Sequence, residues 1–135
     1  MKRRKQRETI MTCIYQYLLL GTDIDTIFEN NLDLNDKDSI AFIVSVTVDA
    51  LNNLEEYSTK INNHLHEWTF DRLGYVEQAI LLLAASELAT GDLDRAIIVN
   101  EAIELTKKFC DDAAYKLING VLDQLWVNPC GQYLH

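Results

Sequence analysis

The spacing of the apolar residues is the feature that most constrains the fold of this chain, because they recur every three or four positions in each long segment. This spacing is the period of an α-helix, and it is clearest between Ile97 and Leu125. Asp111 and Asp112 divide that stretch, since short carboxylates accept hydrogen bonds from the free N–H groups of a helix's first turn. The stretch therefore predicts two helices, with Ile98, Ala102, Leu105 and Phe109 on the first and Ala114, Leu117, Ile118, Val121, Leu122 and Leu125 on the second.

The same period predicts helices in the earlier part of the chain. A first helix runs from about Arg4 to Leu20, where Gly21 ends it, and a short second helix follows Asp23. A turn at residues 69–73 precedes a strong helix that carries Val76, Ala79, Ile80, Leu83, Ala84 and Leu88 on its inner face. Together with the segment between them, these elements give about seven helices and no strand.

Residues 40–48 are the one ambiguous segment, because they are rich in the β-branched side chains typical of a strand. Their three-and-four spacing continues for about 25 residues, far beyond the usual strand of about five or six. We therefore predict one long helix that begins at Asp38 or Ser39 and ends near His64 or Leu65.

The composition fits one globular domain. The chain has 135 residues, 48% of them hydrophobic, and a single proline. Domains of this size can bury a sizeable core, and no apolar run approaches the roughly 20 residues that span a bilayer. Asn128-Pro129 prevents a helix from continuing, so residues 129–135 are expected to form a short tail.

The cysteines and histidines do not predict a metal site. Cys13, Cys110 and Cys130 are an odd number without C-x-x-C spacing, and His64 and His66 would point to different sides of a helix.

The basic start of the chain is followed by polar residues, so no export signal is expected, and reduced thiols indicate the cytoplasm. Motifs for nucleotide phosphates or nucleophilic catalysis are also missing, so we expect neither an enzyme nor a cofactor.

Charge is distributed very unevenly along the chain. Five of the twelve Lys and Arg residues lie within residues 2–7, whereas all twenty-one acidic residues come from Glu8 onward. The tip therefore carries +5 and the remainder −14, for a net charge of −9. Because surface charges act over a Debye length of about 8 Å, this tip can hold a polyanion that the acidic body repels.

Two residues interrupt the apolar faces of the predicted helices. Glu87 lies one turn from Leu83, so if it is buried it needs a cationic partner, for which Arg72 is a candidate. Gly120 lowers helix propensity within a strong apolar stripe, and we expect it to let a neighbouring helix approach closely.

Several blocks of the sequence together resemble the NusB transcription antitermination family. The resemblance covers nearly the whole chain, and its last two blocks are the most specific. The blocks are Arg3-Arg4 with Arg7-Glu8 and Tyr15, then Arg72-Leu73 with 76–81 and Glu87-Leu88, then 99–105 with Lys107 and Phe109, and finally 119–123.

The resemblance implies an all-α fold of two small packed bundles, here at about 1–66 and 67–128. It also implies a protein that binds boxA RNA together with the ribosomal protein NusE. This pair nucleates an RNA polymerase antitermination complex, notably on ribosomal RNA operons.

The resemblance also assigns roles to individual residues. The family's basic N-terminus and a later lysine imply RNA contacts, and a tyrosine and acidic positions imply contacts with NusE. An aromatic residue is usual in the family where this chain has Leu117, and its ring could stack on an unpaired base. The implied RNA-binding residues are Lys2, Arg3, Arg4, Lys5, Arg7 and Lys116, and the implied NusE-binding residues are Tyr15, Asp71 and Glu77.

Two alternatives stay open at this point. One is a helical interaction protein with the same fold that binds only protein, including a second copy of itself as a homodimer. The other is the NusB-like domain of an RNA methyltransferase, which the sequence does not favour because no cofactor-binding domain follows the helices.

Overall fold

The structure is a computed structural model, and it describes residues 2–91 and 93–125. These residues form seven α-helices, a short 3-10 turn and no strand, which confirms the all-α prediction. The predicted tail at 129–135, the end of the second bundle at 128 and Asp92 lie outside the described residues. The helices are α1 (Arg3–Leu20), α2 (Ile24–Asn31), α3 (Lys37–Asn52), α4 (Leu54–Asn62), α5 (Tyr75–Thr90), α6 (Arg95–Phe109) and α7 (Asp112–Gln124), and the 3-10 turn is Phe70–Arg72.

Helix α5 is the central element of the fold. Every residue from Gln78 to Leu88 is buried, as expected of a helix that is apolar nearly all round. Helices α1, α3 and α4 pack against it, and so do α6 and α7. The buried side chains of these helices form one contiguous core. Helix α5 thus packs against helices from both of the predicted bundles. The division into bundles at about 1–66 and 67–128 stays a prediction.

The prediction of one long helix between Asp38 and Leu65 is wrong. Helix α3 ends at Asn52 and α4 begins at Leu54. Between them, the Asn53 side-chain amide donates to the Asp49 carbonyl at 2.9 Å and to its carboxylate at 3.1 Å. An asparagine that bonds to the backbone in this way competes with the helical hydrogen bonds. The helical spacing of apolar residues persists across the break, which is why the periodicity concealed it.

Three helices begin at a capping carboxylate, and α3 begins at Lys37, one or two residues before the predicted start at Asp38 or Ser39. The carboxylates of Asp23, Asp36 and Asp111 accept hydrogen bonds from backbone N–H groups in the first turns of α2, α3 and α7. Hydrogen bonds from Thr26 and Ser39 lower the pKa of Asp23 and Asp36 respectively. Helix α1 ends at Gly21, whose φ of 64° lies in the left-handed region that glycine adopts without strain.

Gly120 does not have the packing role predicted for it. It is exposed, and a Cβ atom added there would have no neighbouring atom within 4 Å. No second helix therefore uses this glycine for a close approach.

No helix among the described residues is long and apolar enough to span a bilayer. The His, Cys, Asp and Glu side chains of the same residues form no group suited to a metal ion.

Candidate nucleic-acid interface

Four of the implied RNA-binding cations lie together at the exposed start of α1. Lys2, Arg3, Arg4 and Lys5 are all exposed, and the last three belong to the first turn of the helix. The helix begins here without a side-chain cap and without an acidic residue in its first turn. Three of the four cations are therefore held by a helix that begins at Arg3, one residue before the predicted start, and Lys2 precedes it.

The first turn of α1 is anchored to α3 by Arg3 and Gln6. The Arg3 guanidinium lies 3.7 Å from the centre of the Phe42 ring and donates to the Gln6 side chain at 2.6 Å. Gln6 is buried and donates to the Ser39 hydroxyl at 2.9 Å. An arginine stacked on an aromatic ring keeps its charge, so Arg3 remains a cation at the surface.

Arg7 occupies a different position from its neighbours, and we leave it out of the RNA-binding surface. Its side chain is only 4% exposed, and it donates to the Glu87 carboxylate through Nε at 2.8 Å and Nη2 at 2.9 Å. Burial alone lowers the pKa of Arg7, but the hydrogen bond and charge of Glu87 outweigh burial and raise it. The guanidinium therefore stays charged and already has its partner.

The same contact corrects the expected partner of Glu87. The sequence suggested Arg72, but that residue is exposed on the 3-10 turn, whereas Arg7 reaches Glu87 from α1. A signal for this pair was present in the spacing. Arg7 precedes Ile10 and Ile14 by three and seven positions, so it lies on the buried face of its own helix.

A cleft of about 350 Å³ between α1 and α6 is lined by charges of both signs. Arg4 donates to Glu101 through Nε at 3.1 Å and Nη2 at 3.2 Å, and this pairing raises the pKa of Arg4. Lys108 reaches Glu8 at 2.9 Å, and Lys5 lies 3.7 Å from the same carboxylate. The three cations are about 60% exposed, so these pairs are open to water and to a competing anion.

Sequence reasoning missed the carboxylates of this cleft. It assigned no carboxylate to the basic tip. In the structure Glu101 pairs with Arg4, and Glu8 pairs with Lys5 and with Lys108. Lys5 and Glu8 are three positions apart on α1, but the Arg4–Glu101 and Lys108–Glu8 pairs join residues 97 and 100 positions apart. Helical spacing within one segment carries no information about such distant contacts.

Lys116 lies on α7, away from the α1 tip but connected to it by other basic residues. It is exposed and makes no ion pair with another described residue. Lys107, near the end of α6, lies with Nζ 5.7 Å from the centre of the neighbouring Tyr115 ring. The next residue, Lys108, reaches α1 through Glu8. Basic side chains therefore extend from α1 along the end of α6 to α7.

Two of the implied NusE-binding residues, Tyr15 and Glu77, lie on helices that pack against each other, and Asp71 lies on the 3-10 turn just before α5. Glu77 and Asp71 flank Gly74, on α5 and on the 3-10 turn, and Tyr15 is half-buried on α1, which packs against α5. The Glu77 carboxylate accepts from the Gly74 N–H at 3.2 Å. Asp71 is exposed and accepts from the Thr69 hydroxyl. Both carboxylates thus keep oxygen lone pairs for a cationic partner.

Comparison with known proteins bears on the family of the whole chain. The NusB family model matches residues 4–126. The transcription antitermination protein NusB of Nitratiruptor sp. is 36% identical over 128 residues, which cover 91% of this chain and 90% of that protein. The Bacillus subtilis protein of the same name is 36% identical over 126 residues, covering 93% and 95%.

Solved structures show the same fold. T. maritima NusB superposes with a TM-score of 0.86 at 26% identity, covering 93% of this chain and 90% of that one. A chain in the crystal structure of antitermination factors NusB and NusE with double-stranded RNA gives a TM-score of 0.79 at 29% identity, covering 93% and 97%. With matches that extend over nearly all of its length in both sequence and structure, this chain belongs to the NusB family.

Proposed function

We propose that this protein is a transcription antitermination factor that binds boxA RNA together with NusE. The pair would join an RNA polymerase complex in the cytoplasm and keep it transcribing, notably through ribosomal RNA operons. This role is regulatory rather than enzymatic. The observation that carries the proposal is the exposed basic start of α1 on a body with a net negative charge, in a chain of the NusB family.

In this proposal two surfaces of opposite charge bind different partners. Lys2, Arg3, Arg4 and Lys5 meet RNA phosphates, and release of the RNA's counterions makes the affinity depend on salt. Tyr15, Asp71 and Glu77 meet NusE, whose basic character as a ribosomal protein suits an acidic surface. Lys116 extends the RNA contact to α7.

The internal ion pairs decide which cations can take part. Arg4 is 62% exposed beside Glu101, so water already competes for this pair, and a phosphate can take the place of Glu101 as the partner of Arg4. Removing one partner of a buried pair costs about 3–5 kcal/mol, so Arg7 stays with Glu87 when RNA binds. We expect the free protein to bind RNA weakly, because its net charge of −9 repels a polyanion, and the complex with the basic NusE to bind RNA strongly.

Filter binding to a short boxA RNA tests this proposal. The measurement is made with and without NusE over a series of salt concentrations. Removing one phosphate-binding cation should reduce the slope of log affinity against log salt by about 0.7 for single-stranded RNA, so Arg3→Ala with Arg4→Ala should flatten it by roughly 1.4. Lys60→Ala, which removes one cation at the end of α4, is the control for loss of a cation outside this surface. An unchanged slope in the double variant would remove α1 from the RNA-binding surface.

The NusE surface needs a separate experiment. Immobilised NusE should retain the wild-type protein and the Lys60→Ala control but not the double variant Tyr15→Ala with Glu77→Ala. If the double variant is retained as well as the wild type, these two residues do not belong to the interface.

The protein-only alternative has one observation in its favour. Arg4 and Lys108 are both occupied by carboxylates of the same chain. Under that alternative the complex with NusE would form, but it would bind boxA RNA no better than a scrambled RNA of equal length. The filter-binding experiment distinguishes the two functions.

A further inference from the structure

Trp68 is a large aromatic side chain that does not belong to the core. It is 52% exposed and lies between α4 and the 3-10 turn. Its ring lies between two neighbouring grooves that share Leu117, and the larger groove, toward α7, has a volume of about 500 Å³. At 52% exposure, about half of the surface of Trp68 stays accessible to a ligand in the groove.

The groove toward α7 combines this ring with a cation and an accessible backbone. Lys116 and Gly120 line it on the α7 side, one turn apart. A glycine within a helix costs about 1 kcal/mol relative to alanine, and nothing in the described structure fills the space beside Gly120. The open space lets a flat ligand lie close to the helix backbone.

The charges on the two sides of Trp68 differ. The α7 groove contains one cation, Lys116, and one carboxylate, Glu67. The other groove contains Glu77 and Asp111 against Arg72. A polyanion therefore suits the α7 side better. The basic residues that lead from α1 along the end of α6 reach α7 at Tyr115, immediately before Lys116.

We propose that the α7 groove binds an unpaired base of single-stranded RNA, stacked on Trp68, with an adjacent phosphate at Lys116. This inference rests on the proposed RNA-binding function and identifies a further contact in it. Stacking on an indole suits any base, because every base has a π-face, and Lys116 supplies the charge that holds the backbone. Trp68 is the one Trp, Tyr or Phe side chain among the described residues that line this groove.

Tryptophan fluorescence of the full-length chain provides the test. Trp126→Phe leaves Trp68 as the only tryptophan, and this background is titrated with a short single-stranded boxA RNA in the presence of NusE. We expect quenching of the Trp68 emission. We also expect Trp68→Ala to weaken RNA binding by roughly 5- to 150-fold, the range found for loss of one stacked base, whereas Trp68→Tyr stays close to wild type.

Further measurements separate stacking from a general loss of structure. Trp68→Ala should leave the salt slope unchanged, because indole carries no charge, whereas Lys116→Gln should reduce it by about 0.7. Leu34→Ala, which truncates another large exposed side chain, is the matched control. Circular dichroism confirms that each variant folds. If Trp68→Ala does not fold, Trp68→Tyr keeps the test valid.

Each outcome has a distinct meaning. Wild-type binding with an equally tight Trp68→Ala variant would overturn the stacking proposal and leave the proposed function intact. Loss of NusE capture rather than RNA affinity in Trp68→Ala would also overturn it, because the groove would then bind protein. Failure of the wild-type complex to bind boxA RNA at all would overturn the proposed function and this inference together.

Discussion

Arg7 and Glu87 join the first helix to the central one through two parallel hydrogen bonds in the protein interior. Their side chains are 4% and 6% exposed, so water contributes little to the solvation of either charge. The pair fixes the position of α1 on α5, and with it the direction in which the basic first turn points.

This relationship predicts a non-additive effect on stability. Arg7→Met or Glu87→Leu alone should destabilise the protein by about 3–5 kcal/mol, because each leaves one uncompensated buried charge. The double variant should recover much of the lost stability, since apolar side chains of similar volume fill the same space. Urea unfolding of the four proteins measures the coupling. Losses that simply add would show that the two side chains act independently.

The second prediction concerns Glu101, which pairs with Arg4 and, in the proposed function, would compete with RNA for it. Glu101→Gln removes the competing charge and should increase boxA affinity several-fold at low salt, with a smaller gain at high salt. Glu55→Gln, on α4, makes the same change in net charge and should have a much smaller effect. If the two variants bind equally tightly, only net charge matters and the Arg4–Glu101 pair does not restrain RNA binding.

Most of the fold could be predicted from the sequence, because amphipathic spacing is a local property that survives in the structure. Two boundaries also follow from local signals, the end of α1 at Gly21 and the division between α6 and α7 at Asp111. The break at Asn53 did not, since one side chain bonding to Asp49 decides it without changing the apolar pattern.

The candidate site was less predictable than the fold. The sequence located the cations of α1 correctly but could not show which of them have partners. Arg4 and Arg7 are three positions apart, yet one is exposed beside Glu101 and the other is buried with Glu87. Their partners lie on α6 and α5, and only tertiary packing brings those helices to α1.

The third prediction uses two glycines with opposite backbone requirements. Gly120→Ala should stabilise the protein by about 0.5–1 kcal/mol, because alanine favours the helix and its methyl group meets no neighbour. Gly21→Ala should destabilise it by roughly 1–2 kcal/mol, since φ is +64° there. Thermal or urea unfolding measures both changes. A destabilised Gly120→Ala variant would contradict the open space found beside that residue.

The last prediction concerns the pH dependence of the thiols. Burial raises the pKa of Cys13 to about 11, and burial together with the charges of Glu77 and Asp111 raises that of Cys110 to about 11. An unfolded cysteine titrates near 8.5. The folded state thus favours the neutral thiols, and this contribution to stability is present below about pH 8.5 and is lost as the pH rises through about 11.

Alkylation with iodoacetamide measures this effect directly, because the thiolate is the reactive form. At about pH 8.5 the folded chain should hold roughly 100-fold less thiolate at these two positions than a urea-unfolded control, since the pKa values differ by about 2.5 units. Cys110 is partly exposed and Cys13 is buried, so Cys110 should react first as the pH is raised. Peptide mapping distinguishes alkylation at these two cysteines from alkylation at Cys130. Equal rates for Cys110 in the folded and unfolded chains would contradict the raised pKa, because reaction through the neutral thiol is too slow to account for them.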